Sequence, residues 1–384
     1  MASTVRLCKL VGLWKDYESQ KPHWRAFFIL ACLIFCFILP SSVYIILSPE
    51  SFTTILKAIL ELFSITLFAL RIGVHIVYSS MYQKCFDNVQ SVLSEFVDSP
   101  NKEIQQKIEH LRKSADYLIR FYVSAVMVQG IIYGIIPMLV TSFRYLTNSE
   151  TLKLPATMIE ANFVFFDQKS HFAIWLPVIM TLTTVQYMMV AAFTANECLG
   201  WNLLHHVSCL FHIIGMEISQ LDGCVDAGVY RRKLAVIVKN HDVCYRSARL
   251  LEQIFSPVMA LLYCACIIQT CYIMFVISAT DDLMLIGIMV YVLQYIVFLL
   301  FAFSMLGSEL TEASSSITNA IYNTKWYERA APEQRLVLII QRRSQKMVTI
   351  SASKLFPITR VTFMTAMKTA FSYFSIMVQL YTSD

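Results

Sequence analysis

Residues 358–381 read ITRVTFMTAMKTAFSYFSIMVQLY, a run apolar enough to cross a bilayer. Within it Thr365, Lys368, Ser372, Ser375 and Gln379 recur at alternating spacings of three and four, which places all five on one helical face. The opposite face carries Phe363, Met367, Ala370, Phe374, Met377 and Tyr381. Hydroxyls and an ammonium group cannot be turned to lipid without losing their hydrogen-bond partners, so the stripe must face water or other protein. Two readings are open. The stripe is the wall of a pore, or it is a seam between helices, because Ser and Thr also join transmembrane segments.

Working outward, the rest of the chain is built the same way. Of 384 residues 57% are apolar and only 15% charged, well below the roughly 25% of soluble domains, and the mean hydropathy is +0.58. Further apolar runs occupy residues 26–47, 55–79, 121–143, 172–195, 257–277 and 283–306, so with 358–381 the chain reads as seven transmembrane helices. The fold class is all-α integral membrane. The first run is too long for the apolar core of a signal peptide, and no small-residue cleavage site follows it. The net charge of +5 is spread through the loops, which excludes a nucleic-acid footprint. Most of the cysteines lie in or beside apolar runs, where thiols behave as small hydrophobes. His205, His206, Cys209 and His212 lack ligand geometry, so no metal and no cofactor is expected.

Basic residues orient the chain. Lys and Arg number 22 in segments 1–25, 80–117, 197–253 and 307–346, against 3 in the alternate loops. The positive-inside rule then places the amino terminus in the cytoplasm and, after seven crossings, the carboxyl terminus outside. The cytoplasmic segments are also compatible with helix. Residues 80–117, 197–253 and 307–350 are read as helices extending below the membrane into an intracellular anchor bundle. Breaks are expected near Gly215 and at 222–228, and Pro332 is expected to open a new helix. We read residues 1–384 as one domain.

No catalytic set emerges: GxSxG, Walker, HExxH and paired-carboxylate patterns are absent, and the chain is not read as an enzyme. Arg71 and His75, one turn apart in the second run, are expected to make buried polar contacts with a neighbour. The outer halves of the second, third, fourth and sixth runs hold Phe63, Leu67, Ile132, Tyr133, Ile136, Trp175, Ile179, Met188, Met189 and Tyr291. Such residues suit an apolar cavity for a small hydrophobic ligand, although the same types also make ordinary interhelical and lipid-facing surface. Gly130, Gly134 and Pro137 loosen the third run and favour a cavity there.

The stretch 372–380, Ser-Tyr-Phe-Ser-Ile-Met-Val-Gln-Leu, resembles the terminal signature of insect chemosensory receptors. Leu380 as its closing residue is similar to the odorant branch; gustatory receptors usually close with Phe. Ser314-Ser315-Ser316-Ile317, Ala320-Ile321-Tyr322, Lys325-Trp326-Tyr327 and the Pro-led segment 332–346 resemble the same family. The resemblance implies an odorant-gated, non-selective cation channel subunit. It implies four subunits around a pore lined by the last helix, and a multi-pass place in the plasma membrane of olfactory neuron dendrites. Co-receptor subunits would be its partners in a hetero-tetramer and a small volatile odorant its ligand; the chain lacks the co-receptor's insertion between the fourth and fifth spans. The family's gate maps onto Ile376 and Leu380, with Ser372 and Gln379 along the pore. Lys368 on such a face should repel cations, which favours a mixed assembly. A gustatory receptor of the same superfamily is the nearest alternative. A G-protein-coupled receptor is disfavoured by the inverted orientation.

Overall fold

The computed structural model describes residues 2–14, 23–47, 52–97, 101–147, 162–163, 172–224, 226–280 and 283–383. The order is α1 (Ala2–Val11), α2 (Trp24–Leu33), α3 (Leu39–Leu47), α4 (Phe52–Val77), α5 (Ser79–Val97), α6 (Lys102–Gly130), α7 (Ile136–Thr147), α8 (Phe172–Ser219), α9 (Ala227–Ala279), α10 (Leu283–Tyr322), α11 (Ala331–Ser344), β1 (Ser351–Ala352), β2 (Phe356–Pro357) and α12 (Arg360–Ser383). Single π-helical turns at Ile34–Ile38 and Ile131–Ile135 join α2 to α3 and α6 to α7.

Among the described residues six helices are long and apolar enough to cross a membrane: Trp24–Leu47, Ala58–Val77, Phe172–Gly223, Ala227–Ala279, Met289–Tyr322 and Arg360–Leu380. The expected third span, 121–143, is helical throughout, across α6, the π turn and α7. Helices 48 and 53 residues long, α8 and α9, fuse apolar spans to the polar segments beside them. Pro177 and Pro257 sit inside these helices. A proline in an apolar span is tolerated where neighbours satisfy the carbonyl it releases.

The break expected at Gly215 does not form. Glycine costs a helix only about 1 kcal/mol, and here α8 runs through it at a site where a methyl group would just touch the Cβ of Ala320, 3.9 Å away. The chain turns later, through a single 3₁₀ turn at Gln220–Gly223. Asp226 then caps α9, accepting the backbone N–H groups of Gly228 and Val229 at 3.2 Å. Pro332 opens α11 as expected.

The chain divides into two compact units: Met1–Val77 with Ile119–Leu199 and Val276–Leu293, and Tyr78–Leu118 with Gly200–Phe275 and Gln294–Asp384. In the first, a charged and polar cluster is buried. Arg71 pairs with Glu197 at 2.8 Å, their side chains 4% and 0% exposed. His75 bonds Asn196 Oδ1 at 2.7 Å and the Leu13 carbonyl at 3.1 Å, tying the stretch after α1 to α4 and α8. The buried contacts expected for Arg71 and His75 are thus present.

In the second unit Tyr82, Gly200, Phe255 and Phe303 form a close-packed centre. A methyl on Gly200 would lie 2.7 Å from the Phe255 ring, and Phe255 meets Tyr82 and Phe303 edge to face. Ser114, His205 and Glu309 link α6, α8 and α10 through hydrogen bonds of 2.9 and 3.1 Å.

Candidate functional site

The proposed ligand residues all fall in the first unit, and the last helix falls in the second. Trp175 and Ile179, one turn apart on α8, are fully buried against Met138, Tyr145, Phe172 and Leu176. Tyr145 stacks on Phe172 at 4.0 Å. Phe63 and Leu67 are half-buried on α4, Ile132 and Met188 likewise, and Met189 is buried. Ile136 differs: it is 39% exposed and lies on the surface of this unit. Because α7 follows a π turn, its residues are rotated relative to a continuous α-helix. The side chain of Tyr133 lies outside the described residues. Gly134 is buried.

Gly130 is a point of close approach. A methyl there would stand 2.6 Å from Cε1 and 3.1 Å from the hydroxyl of Tyr187, so only glycine lets α8 come this close. The hydroxyl of Tyr291, from α10, donates to the Ala125 carbonyl one turn back on α6. Three helices therefore meet around residues 125–130, beside a π turn of a type often found at functional sites. Tyr187 and its neighbour Gln186 are not among the residues singled out from sequence. Their signal was two hydrogen-bonding side chains beside Thr181, Thr183 and Thr184 in an apolar run.

The last helix is positioned by its own start. Thr359 and Thr362 cap each other reciprocally: the Thr359 N–H donates to Thr362 Oγ1 at 2.8 Å, and the Thr362 N–H to Thr359 Oγ1 at 3.3 Å. Before the cap, β1 and β2 form a minimal antiparallel hairpin, turned by Ser353 (φ 50°) and Lys354 (φ 61°). From α9, Glu252 accepts both the N–H and the hydroxyl of Ser351, and the Ser256 carbonyl accepts the Ser353 N–H at 2.8 Å. From α10, Ser308 accepts the Arg360 N–H at 2.9 Å, and Glu312 pairs with the Arg360 guanidinium at 3.1 Å.

Along α12 the two faces separate. Ala366 and Ala370 are buried, Phe363 meets Phe301 edge to face, and Met377 touches Cys271. Thr365, Lys368, Ser372 and Gln379 are exposed on roughly the opposite side, with Ser375 half-buried at its margin. Ile376 and Leu380 are exposed as well, at 49% and 65%. The hydroxyls of Thr365 and Ser375 return to the carbonyls of Val361 and Phe371 one turn back.

This is a multi-pass α-helical membrane protein. A family model described as 7tm odorant receptor matches residues 51–371, and the chain belongs to that family. It is 34% identical over 98 residues to the odorant receptor coreceptor of Aedes aegypti, a match covering 26% of this chain and 20% of that protein. With odorant receptor 67c of Drosophila melanogaster it shares 21% identity over 234 residues, 57% of each chain. The chain thus aligns with about a fifth of the coreceptor's length and little more than half of that of receptor 67c. Its backbone matches the insect olfactory receptor OR5 of Machilis hrabei, solved in complex with eugenol, with a TM-score of 0.84 and 17% identity, covering 99% of this chain and 97% of that one. That likeness extends over the whole fold.

Proposed function

We propose that this chain is the ligand-tuning subunit of an odorant-gated cation channel. A small hydrophobic volatile binds among the aromatic and Met residues of the first unit, around Gly130, Trp175, Ile179, Met188 and Tyr291. The pore is lined by α12, with Ile376 and Leu380 as its apolar constriction. The chain sits in the plasma membrane with its amino terminus inside, in a hetero-tetramer with co-receptor subunits.

The observation that carries this reading is the orientation of α12. Ala366 and Ala370 pack inward, whereas Thr365, Lys368, Ser372 and Gln379, together with Met364, Phe371 and Tyr373, point away from the rest of the unit. An intrachain seam would bury the stripe. Thr365 and Ser375 satisfy their hydroxyls within the helix, but a charge such as Lys368 left outward in a membrane helix needs water or another subunit, and both are found around a central pore. Apolar Ile376 and Leu380 beside that stripe suit a gate that closes by dewetting.

Cysteine scanning in cells that also express a co-receptor tests it. Cysteines at Thr365, Ser372 and Gln379 should react with aqueous thiol reagents and change the ligand-evoked current, whereas those at Ala366 and Ala370 should not. Equal reaction on both sides would return α12 to a helix seam.

A further inference from the structure

Two basic side chains stand on α12, Arg360 and Lys368, and the helix contains no carboxylate. Arg360 is neutralised where the helix begins, its guanidinium 3.1 Å from Glu312 of α10. Lys368 is not. Its side chain is exposed, and among the described residues it has no ion pair and no hydrogen bond. Arg71, a charge within the span of α4, is by contrast buried against Glu197 at 2.8 Å.

Position makes this difference matter. Lys368 lies eight residues beyond Arg360 and eight short of Ile376, about 12 Å along the helix axis from each. A four-carbon stem covers roughly half of that distance, so it cannot carry the ammonium back to the membrane surface. The charge needs water or a carboxylate from another subunit. Thr365 and Ser372, one turn to either side, are exposed on the same face. Polar residues over three successive turns suit a wetted wall, whereas an ion pair would need only one point.

We propose that Lys368 sets the valence preference of the conducting path, so that this subunit disfavours divalent cations relative to monovalent ones. This rests on the pore reading above and deepens it by naming the class of ion admitted. A fixed positive charge repels a divalent cation twice as strongly as a monovalent one at the same distance. The same ammonium therefore lowers the divalent share of the current more than the total. Because it stands about 12 Å from Ile376, it acts on ions before or after the apolar constriction rather than within it. Each copy of this chain in a mixed assembly adds one such charge.

The test uses the full chain expressed with a co-receptor subunit and a saturating volatile chosen from a panel of six- to ten-carbon alcohols, ketones and esters. Reversal potentials of the evoked current in external sodium and in external calcium give the calcium-to-sodium permeability ratio. Lys368→Gln should raise that ratio roughly 1.5- to 3-fold, the effect of one unit charge about 8 Å from the ion in physiological salt. Lys368→Glu, which reverses the sign, should raise it roughly 2- to 9-fold, and Lys368→Arg should keep the wild-type ratio. Lys368→Cys gives the same test if Lys368→Glu does not reach the surface. A cationic aqueous thiol reagent should return its ratio towards wild type, and an anionic reagent of equal size should raise it further.

Equal ratios for wild type, Gln and Glu, or cysteine labelling that leaves the ratio unmoved, would overturn the proposal while leaving the pore reading intact. The ammonium would then be neutralised by a partner subunit. No reaction at Lys368→Cys, together with none at cysteines placed at Thr365, Ser372 and Gln379, would overturn the pore reading itself. Silence to the entire panel, with the channel present at the surface, would overturn the ligand-gated reading beneath both.

Discussion

A methyl group placed on Gly307 would lie 2.3 Å from the carbonyl oxygen of Ile358, so α10 and the entry to α12 touch backbone to backbone at this point. Neither partner is a flexible side chain that could move aside. Gly307→Ala should therefore force a shift where α12 begins, with a loss of about 1–3 kcal/mol of stability and a reduced ligand-evoked current. Gly73→Ala is the matching control, because nothing lies within 4 Å of that position. It should stabilise α4 by about 0.5–1 kcal/mol. Thermal melting of the two purified variants gives the comparison; equal melting shifts would deny the close contact.

The Arg71–Glu197 pair gives a second expectation. Glu197→Gln leaves a guanidinium buried without its countercharge, at a cost of roughly 3–5 kcal/mol. Replacing both residues with Met should recover most of that loss, since no charge is then buried. A double variant that melts as low as the single one would show that the pair is not what the cluster depends on.

Trp175 is completely buried, so Trp175→Ala should cost roughly 3–5 kcal/mol and lower surface expression along with the response. Met188 is only half-buried. Met188→Ala should instead shift agonist sensitivity by roughly 5- to 150-fold, the range for a lost apolar contact of ~1–3 kcal/mol, at normal expression. Dose–response curves that stay in place for Met188→Ala would remove it from the pocket.

Polar substitution of the exposed Leu380, for example Leu380→Gln, should wet the proposed constriction and raise current in the absence of agonist. Unchanged basal current in a well-expressed variant would argue that the gate lies elsewhere.

An epitope tag after Asp384 should stain on intact cells if the carboxyl terminus is outside. Staining that requires permeabilisation would reverse the orientation drawn from the basic residues.

Much of this was legible from sequence because membrane helices announce themselves as unbroken apolar runs, and the last helix showed its two faces through simple periodicity. Arg71 announced that it needed a partner. Glu197 did not, because it stands just past the apolar run 172–195 and reads as the start of a solvated segment. Gly215 misleads for the opposite reason: its propensity signal is weak, and packing beside Ala320 outweighs it. Ile136, 39% exposed, follows a π turn that no residue pattern encodes. The turn at Ser353 and Lys354 carries none of the Asn-Gly or Asp-Gly chemistry that normally marks a left-handed hairpin.

That absence has a consequence for how the molecule assembles. Residues other than glycine enter the left-handed region reluctantly, so the segment 350–359 has little tendency to adopt this shape alone. It is held there by Glu252 and Ser256 of α9, while Ser308 and Glu312 of α10 hold Arg360 just beyond it. An isolated peptide of this sequence should therefore be unstructured in solution. The hairpin can take shape only once α9 and α10 are in place to receive it, which makes the seating of α12 a late step in building the chain.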